Sequence, residues 1–570
     1  MNLGNALAGL GSVQAAQECY HHAIELQPDL LPAHLNLGAL LLALGDLPAA
    51  ESTYRKALEI APESASAWTG LGCALDTRSD EAEVAFRKSL AFAPGHNGTV
   101  ARLAQWLREH GRARAALEEL RLAVGANPDD ALLLRTLGEI HAGIGEYADA
   151  CASYRRILQT SLHDWDAWSN LLWTLNFMPE ANAVQILAEH RKYATLVERG
   201  LETASVVNRP ERKRLKIGYM SADFRSHSVS CFIEPLLRHH DRGRFEVHCF
   251  YNYASSDAVT QRLYELAEHW HVIAGMTDAD VAKRIRDNGI DILVDLAGHT
   301  AHNRLGTFAR KPAPLQFTWL GYLCTTGLRA VDYRLCDAHT DPPGQAELWQ
   351  VETPLRLPDS QWCYRPQVGL PPPSPLPRLA NGYWTFGSFN QESKLNETAL
   401  RSWAKVLLAV PGSRLRVIGV TCDLVEERIR CVLNEQGIDS ERIDIVGRLP
   451  IEKYLAEFGE VDIALDTFPY NGATTTCDAM LMGVPVATVA GDRAIARSGV
   501  SLLMTVGLAN WIAPTPEALV NTVCTQLRDT QRLVDLRQNL PKRMRASALM
   551  DGAAFAKNVE KAFENAWHRT

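Results

Sequence analysis

The stretch DIALDTFPYNGATTTCDAMLMGVPVATVA, residues 462–490, contains the unit that decides the fold of the C-terminal half of the chain. Two short apolar runs, DIALDTF (462–468) and VPVATVA (484–490), flank an amphipathic segment over residues 474–482. Short apolar runs separated by a helical segment are typical of buried parallel strands. The stretch therefore predicts a strand–helix–strand unit of an α/β sheet.

Similar apolar runs occur earlier in the chain and form two groups. The C-terminal group also contains YWTFGSF (383–389), RLRVIGV (414–420) and RIDIVG (442–447). The other group, which precedes a proline-rich break at 369–382, contains LKIGYM (215–220), FEVHCFY (245–251), DILVDLAG (291–298) and PLQFTWLGY (314–322). These runs predict two doubly wound lobes in tandem, which normally bind ligand in the cleft between them, at the carboxyl ends of their strands. Neither lobe carries G-x-G-x-x-G after its first strand, so dinucleotide binding has no support.

Repeats occupy the first part of the chain. Prolines recur at Pro28, Pro62, Pro94 and Pro128, with spacings of 34, 32 and 34 residues. Glycines and tyrosines recur at fixed positions of the same register: Gly38, Gly72 and Gly138, and Tyr20, Tyr54 and Tyr154. This pattern resembles the tetratricopeptide repeat, a helix–turn–helix unit of about 34 residues. We therefore expect an α-solenoid before the two α/β lobes.

The concave groove of such a solenoid usually binds peptide. Asn36 and Asn170 share the sixth position of the register, which faces the groove, and an amide side chain can pair with both the N–H and the C=O of a peptide backbone. Gly70, Arg102 and Thr136 interrupt this asparagine row. The alternative is that these residues are polar side chains on a solvated helix face.

The composition excludes several classes of protein. The net charge of −8 argues against a general nucleic-acid binder, and no apolar run reaches the length of about 18 residues that a membrane helix needs. The 12 cysteines include no C-x-x-C pair, which indicates neither a zinc site nor a disulfide framework. The start of the chain lacks a basic signal-peptide region. We expect a soluble protein of the reducing cytoplasm, with no nucleic-acid or membrane partner.

The helix that begins at Thr474 offers an anion site. Free backbone N–H groups and the hydroxyls of Thr474 and Thr475 suit a phosphate, and Asp478 lies on the same face one turn deeper. A carboxylate there would repel phosphate but could accept hydrogen bonds from a ribose. The arrangement fits a nucleoside diphosphate. The alternative is a capped, ordinary helix.

Other polar residues follow strands of the two lobes. Gln391 and Lys394 lie in the loop after the first C-terminal strand, where a lysine could neutralise a leaving diphosphate. In the other lobe, His227 follows the first strand just before a helix, and Asp295 and His299 follow the third. Burying an aspartate in an apolar strand is costly without a purpose, although a lone histidine is more often structural.

The repeats together with the motifs SADFRSH, DLAGHT, TWLGY, FNQxxK and DTxPxNGxTTxxD resemble the O-linked N-acetylglucosamine transferase family. The resemblance implies two Rossmann-like lobes of the GT-B type and an inverting transfer of N-acetylglucosamine from UDP-GlcNAc to serine and threonine of intracellular proteins. It implies no cofactor and no required metal. Protein acceptors would be recruited by the repeat groove.

The resemblance also implies roles for individual residues. His227 corresponds to a proton acceptor, and Asp295 with His299 to another proposed proton route. The UDP-sugar site would comprise Gln391, Lys394, Leu449, Pro450, Ile451, Tyr454, Ala473, Thr474, Thr475 and Asp478. The chain departs from the animal enzymes at three of these positions: Ala473 and Tyr454 each replace a histidine, and Ile451 replaces a lysine.

The expected domains are the repeat superhelix (1–180), a helical connector (181–210), the N-terminal catalytic lobe (211–375), the nucleotide-sugar lobe (380–545) and a C-terminal helix (546–570). Two alternative activities stay open within the family, transfer of fucose from GDP-fucose and glucosylation of asparagine. A third alternative is a repeat scaffold whose lobes bind nucleotide without turnover.

Overall fold

The computed structural model describes residues 1–9, 12–75, 79–201 and 213–569. Residues 202–210 of the predicted connector therefore lie outside the described residues, as do residues 211, 212 and 570. The chain forms two compact units, one of residues 1–144, 149–162 and 422–424 and one of residues 145–148, 163–421 and 425–570. The predicted domain boundaries stay predictions.

The repeat region is built from antiparallel helices. They are α1 (Asn2–Gly9), α2 (Val13–Leu26), α3 (Leu31–Leu44), α4 (Leu47–Ile60), α5 (Ala65–Ala74), α6 (Asp80–Phe92), α7 (Asn97–Glu109), α8 (Ala113–Ala126), α9 (Ala131–Gly143) and α10 (Tyr147–Thr160). Each register proline lies two residues past the end of a helix, because proline cannot continue the helical hydrogen bonding. The predicted helical repeats are confirmed.

The glycines of the register make room for its tyrosines. Tyr54 of α4 lies against both Gly38 of α3 and Gly70 of α5. A Cβ atom at Gly38 would lie 2.6 Å from the Tyr54 ring, and one at Gly70 would lie 2.2 Å from it. Gly138 stands in the same relation to Tyr154, at 2.5 Å. The helices can therefore approach closely only where the side chain is absent.

We predict that Gly70→Ala destabilises the repeats by about 1–3 kcal/mol, because the new methyl group overlaps the Tyr54 ring. Gly125→Ala is the matched control, since a Cβ atom there meets nothing within 4 Å and alanine raises helix propensity by up to about 1 kcal/mol. Hydrogen exchange read by mass spectrometry should show faster exchange in α4 and α5 for Gly70→Ala alone. Equal exchange in the two variants would contradict the packing argument.

Two helices of the second unit precede the lobes, α11 (Trp165–Leu175) and α12 (Ala183–Val197). The N-terminal lobe then follows as β1 (Leu215–Ser221), α13 (Ser228–His239), β2 (Phe245–Tyr251), α14 (Ala258–Tyr264), β3 (His269–Val272), α15 (Asp278–Asp287), β4 (Ile292–Asp295), α16 (Leu305–Ala309), β5 (Leu315–Thr318), β6 (Tyr333–Asp337) and β7 (Thr353–Leu357). Its strands are all parallel, in the order β3-β2-β1-β4-β5-β6-β7.

The sequence analysis missed three strands of this lobe, β3, β6 and β7. The segments HWHV, YRLCD and TPLRL mix polar and apolar residues and do not form apolar runs. The strand that ends at Asp295 is consequently the fourth in the chain and not the third. Its neighbour in the sheet is still β1, as the doubly wound order requires.

The C-terminal lobe repeats this plan. Its elements are α17 (Pro377–Asn381), β8 (Thr385–Ser388), α18 (Glu397–Ala409), β9 (Arg414–Ile418), α19 (Asp423–Glu435), β10 (Ile443–Val446), α20 (Ile451–Glu457), β11 (Ile463–Leu465), α21 (Thr474–Leu481), β12 (Val486–Val489), α22 (Ser498–Thr505), β13 (Ile512–Ala513), α23 (Ala518–Leu527), α24 (Thr530–Arg545) and α25 (Gly552–Arg569). The order of its parallel strands is β10-β9-β8-β11-β12-β13.

The order of strands reverses once in each sheet, between β1 and β4 and between β8 and β11. Loops leaving the carboxyl ends of these strands diverge to opposite faces, which opens a crevice where ligands bind in doubly wound sheets. The predicted site residues that follow β1, β4, β8 and β11 all lie at these two reversal points.

The last helix of the chain returns to the N-terminal lobe. Glu560 of α25 accepts hydrogen bonds from the backbone N–H of Asp241 (2.7 Å) and lies 3.0 Å from Nδ1 of His240, just after α13. None of the 12 cysteines, all of which lie within the described ranges, forms a disulfide bond. No helix within the described ranges is both long and apolar enough to cross a membrane.

Candidate functional site

Lys394 joins the two loops at the reversal point of the C-terminal sheet. It follows β8, and its Nζ donates a hydrogen bond of 2.9 Å to the carbonyl of Asn471, in the loop after β11. The same Nζ lies 4.2 Å from the centre of the Tyr470 ring. The amide of Asn396 donates to the carbonyl of Phe468 at 2.7 Å. The lysine is thus fixed beside the loop that leads into α21.

Asp466 stabilises the conformation of that loop. Its carboxylate accepts hydrogen bonds from the backbone N–H of Thr467 (2.9 Å) and of Gly472 (2.8 Å) and from the hydroxyl of Thr488 (2.7 Å). Burial raises the pKa of Asp466 to about 6, against these hydrogen bonds and the charge of Lys394. The sequence analysis missed this residue, although an aspartate at the end of an apolar strand was a usable signal.

The N-terminus of α21 is free of a side-chain cap. The N-cap residue is Ala473, which has no acceptor to offer. The hydroxyl of Thr475 lies 3.4 Å from Oδ1 of Asn390, and that of Thr476 donates to the carbonyl of Gly472 at 3.3 Å. The alternative of a capped, ordinary helix is therefore not what the structure has. The first N–H groups and the positive end of the helix dipole are available to an anion.

The half-buried Lys394 carries a perturbed charge. Burial lowers its pKa to about 8, and the carboxylate of Asp466 works in the opposite direction. An amine of this pKa is still mostly protonated at neutral pH. A bound anion beside it would favour the protonated form further.

Asp478 lies on α21, where two tyrosine hydroxyls hydrogen-bond to it. The hydroxyl of Tyr364 donates to Oδ1 at 2.5 Å, and Tyr454 of α20 is the second partner. Burial raises the pKa of Asp478 to about 6, and the two tyrosines lower it. A carboxylate has about four acceptor positions, so a ribose hydroxyl can still bind beside these tyrosines.

Tyr364 links the two lobes around this carboxylate. Its ring lies 5.3 Å from that of Phe232, on the helix that begins right after His227. The same side chain hydrogen-bonds to Asp478 of the C-terminal lobe, so it connects α13 with α21. Sequence reasoning missed Tyr364, because it belongs to none of the motifs and its role depends on contacts far away in the chain.

The predicted uracil segment lies at the start of α20. Pro450 is the N-cap residue, Ile451 is the first helical residue, and both are exposed, while Leu449 is half-buried. Tyr454 packs edge-on against Phe389, with ring centres 5.9 Å apart. Gln391 is exposed, in the turn that carries Lys394. The hydrogen bond between Tyr454 and Asp478 connects this segment to the start of α21.

His227 is the N-cap residue of α13. Its Nδ1 accepts a hydrogen bond of 3.3 Å from the N–H of Val229 and lies 3.6 Å from a carboxylate oxygen of Asp223. The side chain is 40% exposed. Partial burial lowers the pKa of His227 while Asp223 raises it, which keeps the imidazole able to accept a proton. Because both contacts use Nδ1, Nε2 is the nitrogen that a substrate could reach.

Asp295 and His299 are both buried and serve internal partners. Asp295 accepts hydrogen bonds from the N–H groups of Ala297 and Gly298 and from the hydroxyl of Thr318, and burial raises its pKa to about 6. His299 lies 3.0 Å from the carbonyl of Thr326, and burial lowers its pKa well below the ordinary value. Within the described ranges no hydrogen bond joins the two residues.

The two groove asparagines lie in different units. The amide of Asn36 donates to Oδ1 of Asn5 at 2.9 Å, so it has a partner on the neighbouring helix α1. Asn170 is half-buried on α11. Their predicted role in holding a peptide stays a prediction.

We predict that UDP binds more weakly as the pH rises above about 8, by up to about tenfold per pH unit, because binding then requires Lys394 to take up a proton. Below that pH the affinity should be nearly constant with respect to this group. Lys394→Met should bind UDP weakly with no such slope, whereas the exposed control Lys405→Met should behave as the native chain. Calorimetry between pH 7.5 and 9.5, a range set around the pKa of about 8, measures both effects. A parallel slope in Lys394→Met would remove the lysine from the site.

We also predict that the double change of Thr474 and Thr475 to valine weakens UDP binding at least about tenfold. Each hydroxyl contact to a charged ligand contributes about 1.5–3 kcal/mol, and valine keeps the shape of threonine. Thr398→Val, at the start of the exposed face of α18, is the control. An unchanged dissociation constant in the double variant would mean that the ligand does not bind at the start of α21.

Comparisons with known proteins bear on the fold and the family. The family model described as "Glycosyl transferase family 41" matches residues 192–352 and 377–559, and tetratricopeptide-repeat models match residues 1–63 and 102–162. A probable UDP-N-acetylglucosamine–peptide N-acetylglucosaminyltransferase SPINDLY from Solanum lycopersicum is 38% identical, over 71% of this chain and 44% of the relative. The corresponding SEC protein of Arabidopsis thaliana is 29% identical, over 62% of this chain and 37% of the relative. The chain thus spans less than half the length of these curated relatives.

Among solved structures, a mutant O-GlcNAc transferase from Thermobaculum terrenum superposes with a TM-score of 0.79 at 31% identity. The match covers 94% of this chain and 97% of the other. The predicted fold, helical repeats followed by two Rossmann-like lobes of the GT-B type, is confirmed, and so is the predicted family.

Proposed function

Because the chain belongs to glycosyl transferase family 41, we propose that it transfers N-acetylglucosamine from UDP-GlcNAc to serine and threonine hydroxyls of proteins. The names of its relatives from tomato and Arabidopsis, and of the bacterial structure, all point to this donor or this modification. The observation that carries the proposal is the uncapped start of α21 with Lys394 fixed beside it. The lysine ammonium and the positive end of the helix dipole together suit a diphosphate.

The proposed reaction inverts the anomeric carbon. The acceptor hydroxyl attacks that carbon, the bond to the diphosphate breaks, and UDP leaves from the opposite face with the electron pair. Lys394 and the first N–H groups of α21 stabilise the charge that develops on the leaving diphosphate, an electrostatic contribution of about 3–4 kcal/mol for one well-placed donor. In this proposal the protein's own groups do this work and no metal ion is required.

Asp478 would bind the ribose, and the segment from Leu449 to Ile451 would bind the uracil ring. The two tyrosines at Asp478 fix its carboxylate, so a ribose meets an acceptor already oriented. The aromatic ring of Tyr454 would also lie near the uracil ring. This arrangement explains why a carboxylate lies so close to a phosphate site.

His227 is the proposed general base, and Asp223 is a positioning residue for it. To accept a proton at Nε2, the imidazole must carry its own proton on Nδ1. The carboxylate of Asp223, 3.6 Å from Nδ1, favours that tautomer, whereas the N–H of Val229 favours the other. Binding of an acceptor hydroxyl at Nε2 would shift this balance toward the form that Asp223 stabilises.

We predict that His227→Gln abolishes transfer and leaves UDP binding unchanged, because the base contacts the acceptor and not the nucleotide. Asp223→Asn should lower turnover by about 10²–10⁴, the range of general-base contributions, and change the pH profile while the Michaelis constant for UDP-GlcNAc stays the same. His302→Asn, an exposed histidine in the same lobe, is the control. Turnover assays over about pH 5–8 with UDP titrations check these outcomes, because the pKa of His227 is lowered from the ordinary histidine value of about 6.5.

Full activity of His227→Gln would instead favour the route through Asp295 and His299. The geometry argues against that route, because the oxygens of Asp295 already accept from Ala297, Gly298 and Thr318. Because Asp295→Asn can also destabilise the fold, the activity of this variant must be measured together with its stability. A stable, inactive Asp295→Asn variant with native UDP affinity would assign the proton transfer to this pair.

The donor is the first thing to test. Calorimetry of the purified chain with UDP, GDP, UDP-GlcNAc and GDP-fucose should show tight binding of the uridine compounds only. Incubation with UDP-GlcNAc and peptides rich in serine and threonine, followed by mass spectrometry, should then show addition of one N-acetylhexosamine. A preference for GDP compounds would replace the proposal by fucosyl transfer. Binding of UDP-GlcNAc without hydrolysis or transfer would favour a nucleotide-binding scaffold.

We propose that the repeats recruit protein acceptors, as the groove of a solenoid normally binds peptide. The 12 cysteines form no disulfide bond in the described part of the chain, which is consistent with a reducing compartment, and we propose the cytoplasm. Nucleic acid and membranes are not among the proposed partners.

A further inference from the structure

Three histidines and a glutamate meet on one face of the N-terminal sheet, at its edge. Glu246 and His248 alternate along β2, and His269 and His271 alternate along the edge strand β3. His248 lies directly opposite His269 in the parallel pair. Since alternate residues of a strand point to the same face, the register itself brings these side chains together.

The atoms of this cluster are spaced as metal ligands are. Nε2 of His248 lies 3.0 Å from Oε1 of Glu246, and Nε2 of His269 lies 3.2 Å from the same oxygen. In a tetrahedral zinc site with bonds of about 2.0–2.1 Å, neighbouring ligand atoms are about 3.3–3.4 Å apart. Both distances to Oε1 of Glu246 are within a few tenths of an ångström of that spacing, and all three ligand atoms lie within 4.8 Å of one another. Small movements of the side chains would let them surround an ion.

From this geometry we propose that Glu246, His248 and His269 bind a divalent transition-metal ion of the zinc type, with water as a fourth ligand. Two imidazoles and a carboxylate are the ligand types that zinc accepts. The site is separate from the proposed transfer reaction and supplies none of its groups.

His271 supports the site from behind. Its Nε2 lies 3.1 Å from Nδ1 of the buried His248. On metal binding, His248 would carry its proton on Nδ1 and donate a hydrogen bond from there to Nε2 of His271. The lone pair on Nε2 of His248 is then available to the ion. Metal-ligating histidines almost always donate their other N–H in this way.

Lys216 is the group that opposes the ion. It lies opposite Glu246 on β1, and its Nζ is 3.1 Å from the same Oε1. Its ammonium competes for the carboxylate and repels a cation. The guanidinium of Arg284 also acts electrostatically on His271. The affinity of the site should therefore rise when the lysine charge is removed.

The site lies away from the reaction crevice and would act on the edge strand. Glu246 and Lys216 are near the amino ends of their strands, whereas His227 follows the carboxyl end of β1. Five residues of strand separate Lys216 from Ser221, which is about 16 Å. An ion held by His248 and His269 would fasten the four-residue strand β3 to β2. An edge strand is hydrogen-bonded to a neighbouring strand on one side only, so such a clamp would protect β3 from opening.

The test uses the full chain, stripped with a chelator and titrated with Zn²⁺ and, separately, with Co²⁺. The native chain should bind one more equivalent of Zn²⁺ than Glu246→Gln or His269→Ala. His22→Ala is the matched control, because His22 forms a similar surface pair with Glu25, 3.4 Å apart, with no third ligand beside it within the described ranges. His271→Phe should weaken binding by about 10- to 100-fold, the usual loss for an outer hydrogen-bond partner.

Two further measurements make the result decisive. Lys216→Met should bind Zn²⁺ on the order of tenfold more tightly, because a positive charge next to the ion is gone. Bound Co²⁺ should show weak visible bands without the intense near-ultraviolet absorption of thiolate ligands, and Zn²⁺ should slow hydrogen exchange in β3. All variants must bind UDP normally, which confirms their fold.

The proposal is overturned if the native chain and Glu246→Gln bind the same number of zinc ions. It is equally overturned if the bound cobalt has thiolate ligands only, or if Lys216→Met does not bind zinc more tightly than the native chain.

Discussion

The loop between β11 and α21 keeps its shape because one buried carboxylate, that of Asp466, accepts three hydrogen bonds. Two come from backbone N–H groups at opposite ends of the loop, those of Thr467 and Gly472, and the third comes from Thr488 on the next strand. Burying a carboxylate is costly, and the pKa of about 6 reflects that cost. The hydrogen bonds compensate for it only when the loop is closed, so the carboxylate selects the closed form.

The geometry of the proposed diphosphate site depends on this loop. The carbonyl of Asn471 takes its position from the loop, and Lys394 takes its position from that carbonyl. Gly472 leads into Ala473, whose lack of a polar side chain leaves the start of α21 uncapped. A lysine and a helix dipole are each weak anion sites in water. Held side by side, they would form a site already organised for the proposed diphosphate before it binds.

The sequence predicted the elements that follow a repeated local pattern. It did not predict the elements and site residues that depend on contacts between distant parts of the chain. The proline register predicted the ends of α2, α4, α6 and α8, because proline acts on its own helix. The strands β3, β6 and β7 were missed, since their segments carry polar residues that only their neighbours in the sheet make acceptable. Tyr364 was out of reach for the same reason: its partner Asp478 is 114 residues away. The histidine cluster on β2 and β3 also needed the strand register, which no local pattern gave.

The two lobes use the same device at equivalent places, and this comparison bears on the choice of base. Asp295 ends β4 and Asp466 follows β11, and each of these strands lies directly beyond the reversal point of its sheet. Each aspartate accepts from two backbone N–H groups of the loop that follows and from a threonine of the next strand, Thr318 or Thr488. Burial raises the pKa of both to about 6.

The three hydrogen bonds of Asp466 explain its burial by the structure of its loop. Asp295 accepts hydrogen bonds from the same kinds of donor, two backbone N–H groups and one threonine hydroxyl. The cost of burying Asp295, which the sequence indicated, is therefore offset by the hydrogen bonds that hold its own loop. A carboxylate whose oxygens are already committed to backbone N–H groups is poorly placed to take a proton from a substrate, because each proton gained would cost a hydrogen bond. Nε2 of His227 makes no hydrogen bond to any residue that the structure describes, and a carboxylate lies 3.6 Å from its Nδ1. The internal symmetry of the fold thus favours the histidine, by explaining the aspartate without catalysis.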